Sequence, residues 1–87
     1  MNNVIKRDGT YEAFDPEKIK RVAKASGLEE NEAQKVAENV SSWVKLKGKP
    51  VNTVDIRNEV VRELQSVNEY AANLYLWYET TKYKNQQ

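Results

Sequence analysis

The tightest constraint on this chain is a hairpin signal that runs straight into a helix start. Asp8-Gly9 separates two short β-like runs, and both residues tolerate the positive φ that a two-residue hairpin turn demands. The second run ends at Asp15-Pro16, an N-cap residue followed by the helical position where proline is tolerated. A hairpin over about 3–14 and a helix from Pro16 are therefore expected. In a hairpin closed at Asp8-Gly9, Arg7 faces Thr10, Lys6 faces Tyr11, Ile5 faces Glu12 and Val4 faces Ala13. One face then carries Ile5, Arg7, Thr10, Glu12 and Phe14, and the other Val4, Lys6, Tyr11 and Ala13, because opposed residues share a side. Neither face is cleanly apolar, unlike a hairpin that only covers a core. The pattern suits a lid with contacts on both sides, or else a solvated ribbon with snorkelling lysines. Lys6 and Arg7 point to opposite sides of an ideal strand. Both could grip one ligand only if the ribbon twists strongly or the ligand runs past its edge.

Helical periodicity accounts for the remainder. Ile19, Val22 and Ala23 mark the inner stripe of a first helix over about 16–26, with Gly27 as its terminator. Glu29-Glu30-Asn31-Glu32 is an acidic start suited to a helix dipole. Ala33, Val36, Ala37, Val40, Trp43 and Val44 then trace one face of a helix over about 31–47, stopped by Gly48 and Pro50. Lys45 and Lys47 at its end answer the same dipole, a reading preferred to a nucleic-acid patch. Thr53 is a candidate N-cap for a third helix over about 53–65, with Ile56, Val60 and Leu64 inward. Ser66-Val67-Asn68-Glu69 matches a capping box and predicts a fourth helix over about 67–82. Its inner face is expected to carry Tyr70, Ala71, Leu74, Trp77, Tyr78 and Thr81. A single domain spanning 1–87, mainly helical α+β, follows: a four-helix bundle capped by an N-terminal hairpin or small antiparallel sheet.

The residue inventory excludes much chemistry. With no cysteine, neither disulfides nor thiolate metal sites can form, which fits a reducing cytoplasm. No histidine is present, so the commonest general base and metal ligand are missing. There is no glycine-rich phosphate loop and no nucleophile–base pair to assemble. Asp8, Glu12 and Asp15 lie near one another, but turn and cap already employ two of them; magnesium shared with phosphates is the remaining metal option. A formal charge of +1 supplies no global drive toward nucleic acid or anionic membranes, and no apolar run is long enough to cross a bilayer. The chain is thus expected to be a non-enzymatic, non-membrane protein. Any anion site must be local.

Such a site is available. Lys6, Arg7 and Lys18 surround the hairpin-to-helix junction, while Thr53 and Arg57 lie one turn apart at another helix N-terminus. Helix N-termini offer free N–H groups to phosphate, and arginine grips phosphate bidentately where lysine acts as a point charge. Glu12 and Asp15 suit a donor such as the adenine N6 amino group. A nucleoside triphosphate has both an anionic end and a donor-bearing end.

The opening Val4-Ile5-Lys6-Arg7-Asp8-Gly9, with Glu12, Phe14-Asp15 and Lys18-Ile19, resembles the start of the ATP-cone domain. Val51-Asn52-Thr53-Val54-Asp55-Ile56 resembles its middle segment, and Tyr70-Ala71-Ala72 with Tyr78 its last helix. The resemblance covers nearly the whole chain. It implies a module that binds ATP or dATP and, in ribonucleotide reductases, senses their ratio and switches oligomeric state. It implies that Lys6, Arg7, Lys18, Thr53 and Arg57 hold phosphates, that Glu12 and Asp15 contact adenine, and that Val4 and Ile19 pack on base or sugar. Asp15 stands where some members have asparagine, and Arg57 where a histidine can occur. A basic phosphate contact near the end of the last helix aligns with Thr81, and Lys82, one position on, is the candidate for it. Neither a zinc ribbon nor a catalytic barrel accompanies these motifs, so the module alone is expected. Its implied partners are the nucleotide and either a second copy or a ribonucleotide reductase catalytic subunit. The competing expectations are a small helical nucleic-acid-binding domain, or an interaction domain whose nucleotide site has decayed.

Overall fold

The computed structural model of the chain describes residues 3–85, with side chains described as far as Thr80. Two short strands, β1 (Asn3–Ile5) and β2 (Tyr11–Ala13), precede the helices α1 (Pro16–Ala25) and α2 (Glu30–Lys47). A third strand, β3 (Val51–Asn52), leads directly into α3 (Thr53–Val67), and α4 (Glu69–Asn85) completes the order. The protein is mainly helical α+β, four helices with a small three-stranded sheet at the N-terminus. Lys82 lies on α4, but its side chain is outside the described residues.

The sheet corrects the expected hairpin in two ways. Strand order is β2-β1-β3, antiparallel on one side of β1 and parallel on the other, so the sheet is mixed. The hairpin register also differs by one residue: Val4 faces Glu12, Ile5 faces Tyr11 and Asn3 faces Ala13. The cause lies in the loop. Gly9 is left-handed at φ 86°, but among the described residues no non-glycine residue has positive φ, so Asp8 does not adopt the two-residue turn. Instead Asp8 Oδ1 accepts hydrogen bonds from the Thr10 backbone N (3.1 Å) and the Thr10 hydroxyl (2.7 Å). The Gly9 N–H donates to the Lys6 carbonyl and the Lys6 N–H to the Thr10 carbonyl, at 3.0 and 2.8 Å. Arg7-Asp8-Gly9 thereby becomes a three-residue loop whose last residue supplies the left-handed step. A one-residue slip exchanges faces. Val4, Lys6, Thr10 and Glu12 now share a side, and because Val4 is buried that side faces the helices.

Val4 and Val51, paired across β1 and β3, are both buried and tie the sheet into the helical core. The core itself is built where periodicity placed it on α2 and α3. Ala33, Val36, Val40 and Val44 meet Ile56, Val60 and Leu64, with Ala23 of α1 and Leu28 of the following loop alongside. Helix α1 packs on α2, α2 on α3, and α3 on α4.

The fourth helix differs from expectation in start and in facing. Ser66 belongs to α3, where its hydroxyl donates to the Glu63 carbonyl at 2.8 Å. Asn68 is the break: its N–H closes α3 on the Leu64 carbonyl, and its Oδ1 caps α4 by accepting from the Tyr70 N–H at 2.9 Å. The inner face of α4 is Ala71, as expected, with Ala72 and Tyr75; Leu74 is half-buried, and the Thr81 side chain lies outside the described residues. Tyr70, Trp77 and Tyr78 are exposed, the last two in an edge-to-face contact at 5.5 Å. Apolar residues surround this helix on all sides, so spacing alone does not select a face. Close approach at Ala71 and Ala72, both fully buried, decides it.

Candidate functional site

The parallel pair β1–β3 is what assembles a site. Its register sets Val4 against Val51 and Ile5 against Asn52. One residue further along, Lys6 leaves β1 level with Thr53, the first residue of α3. A basic side chain thus stands beside the positive end of a helix.

That helix end is open. At α1 the Asp15 carboxylate caps by accepting from the Glu17 N–H at 3.0 Å. At α2 the Glu32 carboxylate reaches back to the Glu29 N–H, also 3.0 Å, and at α4 Asn68 serves. At α3 the N-cap residue is Asn52, and its side chain makes no capping hydrogen bond. The first N–H groups of α3 therefore lack an N-cap side-chain acceptor, and Thr53 and Arg57, both half-buried, lie on the same helix face beside them.

The other residues singled out by sequence lie along the hairpin and the first turns of α1, and two candidates stand apart. Arg7 is not on the strand at all but in the three-residue loop directly after Lys6. The difficulty of aiming adjacent strand residues at one ligand disappears with that. Glu12 lies across from Val4 on the helix-facing side and is exposed. Asp15, Lys18 and Ile19 follow β2 through Phe14 alone. Asp15 spends one carboxylate oxygen on the α1 cap, Lys18 is exposed, and Ile19 is half-buried against the core. The first exception is Val4, whose side chain is 5% exposed and committed to the core. The second is Lys82, whose side chain lies outside the described residues.

Charge at the loop is locally organised. The two Thr10 hydrogen bonds, the side-chain one foremost, hold the Asp8 carboxyl below its ordinary range, with a smaller contribution from the Lys6 ammonium. Asp8 is therefore a fixed anion that shapes the loop between Lys6 and Thr10. Among the described residues no group of three or more Asp or Glu side chains is placed to hold a metal ion. None of their helices is long and apolar enough to cross a membrane.

On the other side of α3, reaching Asn52 at the edge of this junction, the chain forms a groove that sequence reading missed. It runs between the end of α2, β3 and α3, and its wall includes Trp43, whose ring carries the Lys47 ammonium 4.8 Å from its centroid. Glu59, a buried carboxylate in the middle of α3, lines it with Arg62 at 3.6 Å. The i,i+4 spacing of Trp43 and Lys47 was the available signal, and the helix-dipole explanation of Lys47 obscured it. The i,i+3 spacing of Glu59 and Arg62 was another.

The ATP cone domain matches residues 2–82 of the chain. No curated protein matches it.

Proposed function

The chain belongs to the ATP-cone family, and on that footing we propose that it binds ATP or dATP at the junction of the hairpin with α3. Bound nucleotide would then control a partner, either a second copy of the chain or a ribonucleotide reductase catalytic subunit, in the cytoplasm. The observation that carries this reading is the β1–β3 register, which sets Lys6 level with the start of α3, where no N-cap side chain caps the helix.

In this reading the phosphates sit against the first N–H groups of α3 and the Thr53 hydroxyl. Lys6 supplies a point charge, and Arg7 and Arg57 supply guanidinium forks. The base lies further back along β1. Glu12 accepts from its amino group there, the unused oxygen of Asp15 is at hand, and Ile19 offers apolar contact. Lys18 adds a further cation from α1. Val4 acts indirectly, by holding β1 in the core. Magnesium, where present, would ride on the phosphates.

Calorimetric titration with ATP and dATP tests the proposal. Saturable heat is expected for the native chain. Lys6→Ala and Arg7→Ala should each weaken binding about 10- to 100-fold, the range set by a charge-assisted hydrogen bond of about 1.5–3 kcal/mol. Bound nucleotide should also raise the melting temperature by mass action. Absence of heat at millimolar nucleotide, or heat unchanged in both variants, would sink the reading.

A further inference from the structure

Helix α3 has a second functional side. At 100° per residue, Thr53 and Arg57 lie nearly opposite Asp55, Glu59 and Arg62. Those three line a groove of about 560 Å³ closed on its far side by Trp43 and Lys47 of α2 and by Lys49 of the loop before β3.

The lining is unusual for a surface that only faces water. The Glu59 side chain is 9% exposed, a degree of burial that charged groups rarely reach unless paired. Its partner Arg62 is 75% exposed and stands 3.6 Å away, longer than a tight charge-assisted hydrogen bond. Trp43 is half-buried, and Lys47 lies across its indole face. Lys47, Lys49 and Arg62 bring three cations to the groove, against the two carboxylates Asp55 and Glu59.

Small-molecule sites are enclosed and mostly apolar. This groove is open and polar, and Trp and Arg are the side chains that anchor protein–protein contacts. Complementary potential then selects an acidic partner. We propose that the groove receives an acidic, extended segment of a partner protein, with one apolar side chain of that segment covering the indole of Trp43. Lys47 swings off the ring to meet a carboxylate of the segment, and Lys49 and Arg62 meet others. Docking itself is independent of nucleotide. Only its use as a regulatory output rests on the reading above.

The probe is a short fluorescein-labelled peptide alternating glutamate with leucine, followed by anisotropy and by amide shift mapping on isotope-labelled protein. A matched peptide with lysine for glutamate is the control. The glutamate peptide should bind and shift the amides of Trp43, Lys49, Asn58 and Arg62. Lys47→Glu with Lys49→Glu should weaken it about two- to thirtyfold, as the loss of two exposed ion pairs would. These lysines are exposed, so the fold should tolerate the change. The proposal is overturned by no binding, by equal binding of the lysine peptide, by shifts centred on Thr53 and Arg57, or by duplex DNA occupying the groove more tightly. ATP heat measured on the same protein reports on the other side of α3, so either site can fail alone.

Discussion

The α2–α3 core and the hairpin junction are built on opposite terms. In the core, Val36, Val40, Val60 and Leu64 have essentially no contact with solvent, and each element is braced by its neighbours. At the junction, all of β2 is exposed, and so are Lys6, Arg7 and Glu12. That region is held by a three-residue loop, a handful of hydrogen bonds and the pair Val4–Val51. Under the proposed function, stability and recognition therefore reside in different residues. The two regions meet through Val4 and Val51 and through α3, whose first turn opens the site and whose later turns fill the core.

The hardest test of that separation is to damage the core and ask whether the site notices. Leu64 is fully buried, and Leu64→Ala should lower unfolding free energy by about 2–5 kcal/mol in urea titrations. A domain of this size has only about 5–15 kcal/mol in total. Below its melting range the variant should still give native ATP heat per folded molecule. Lys6→Ala should do the reverse, with stability within about 0.5 kcal/mol of native and affinity lost. If Leu64→Ala weakens ATP binding as much as Lys6→Ala does, the core and the junction are one cooperative unit and the comparison breaks.

A smaller effect sharpens the boundary between helices. Asn68→Ala should cost about 1 kcal/mol, because the α4 cap depends on its Oδ1. Ser66→Ala should cost less, since that hydroxyl only returns to the Glu63 carbonyl within its own helix. Equal losses for the two variants in urea unfolding would restore the capping box that spacing suggests. Neither variant should alter nucleotide heat, because both lie at the far end of α3.

What sequence could show follows the same division. The stripe on α2 was legible because its apolar residues keep one face and polar ones the other. The same held for Ile56, Val60 and Leu64 on α3. On α4, Tyr70, Leu74, Trp77 and Tyr78 keep an equally good helical spacing, yet close packing through Ala71 and Ala72 turned Tyr70, Trp77 and Tyr78 outward and left Leu74 half-buried. The candidate residues could be named from the sequence, but not where the fold puts them. Lys6 is set level with the start of α3 by a parallel pairing with the two-residue strand Val51–Asn52, which is too short to announce itself. The hairpin register turned on a side-chain choice at Asp8 that Asp-Gly statistics do not reveal. The groove on the far side of α3 went unseen because Glu59 reads as one more surface charge.

That choice at Asp8 makes the last prediction, which separates the two regions by pH. Its carboxyl is held below the ordinary value of 3.8 chiefly by the Thr10 hydroxyl and then the Thr10 N–H. A depressed folded-state pKa contributes stability above the unfolded pKa and loses it as pH falls through the folded one. The loop should therefore be fully formed above 3.8 and loosen only below it. Protection of the Lys6 and Gly9 amides, whose bonds close the loop, should fall first on acidification, while the Leu64 amide stays protected. Glu30, lowered by the Lys20 hydrogen bond and then by Lys24, gives α1 and α2 a contribution that is full above 4.5 and lost as pH falls through its lowered value, but this exposed pair is too weak to open the core around Leu64. Asp8→Asn keeps an acceptor for Thr10 without the titration, and should hold the Lys6 and Gly9 amides through the acid range. Simultaneous loss at Gly9 and Leu64 in the native chain, unchanged by Asp8→Asn, would show that the loop draws its order from the core rather than from its own aspartate.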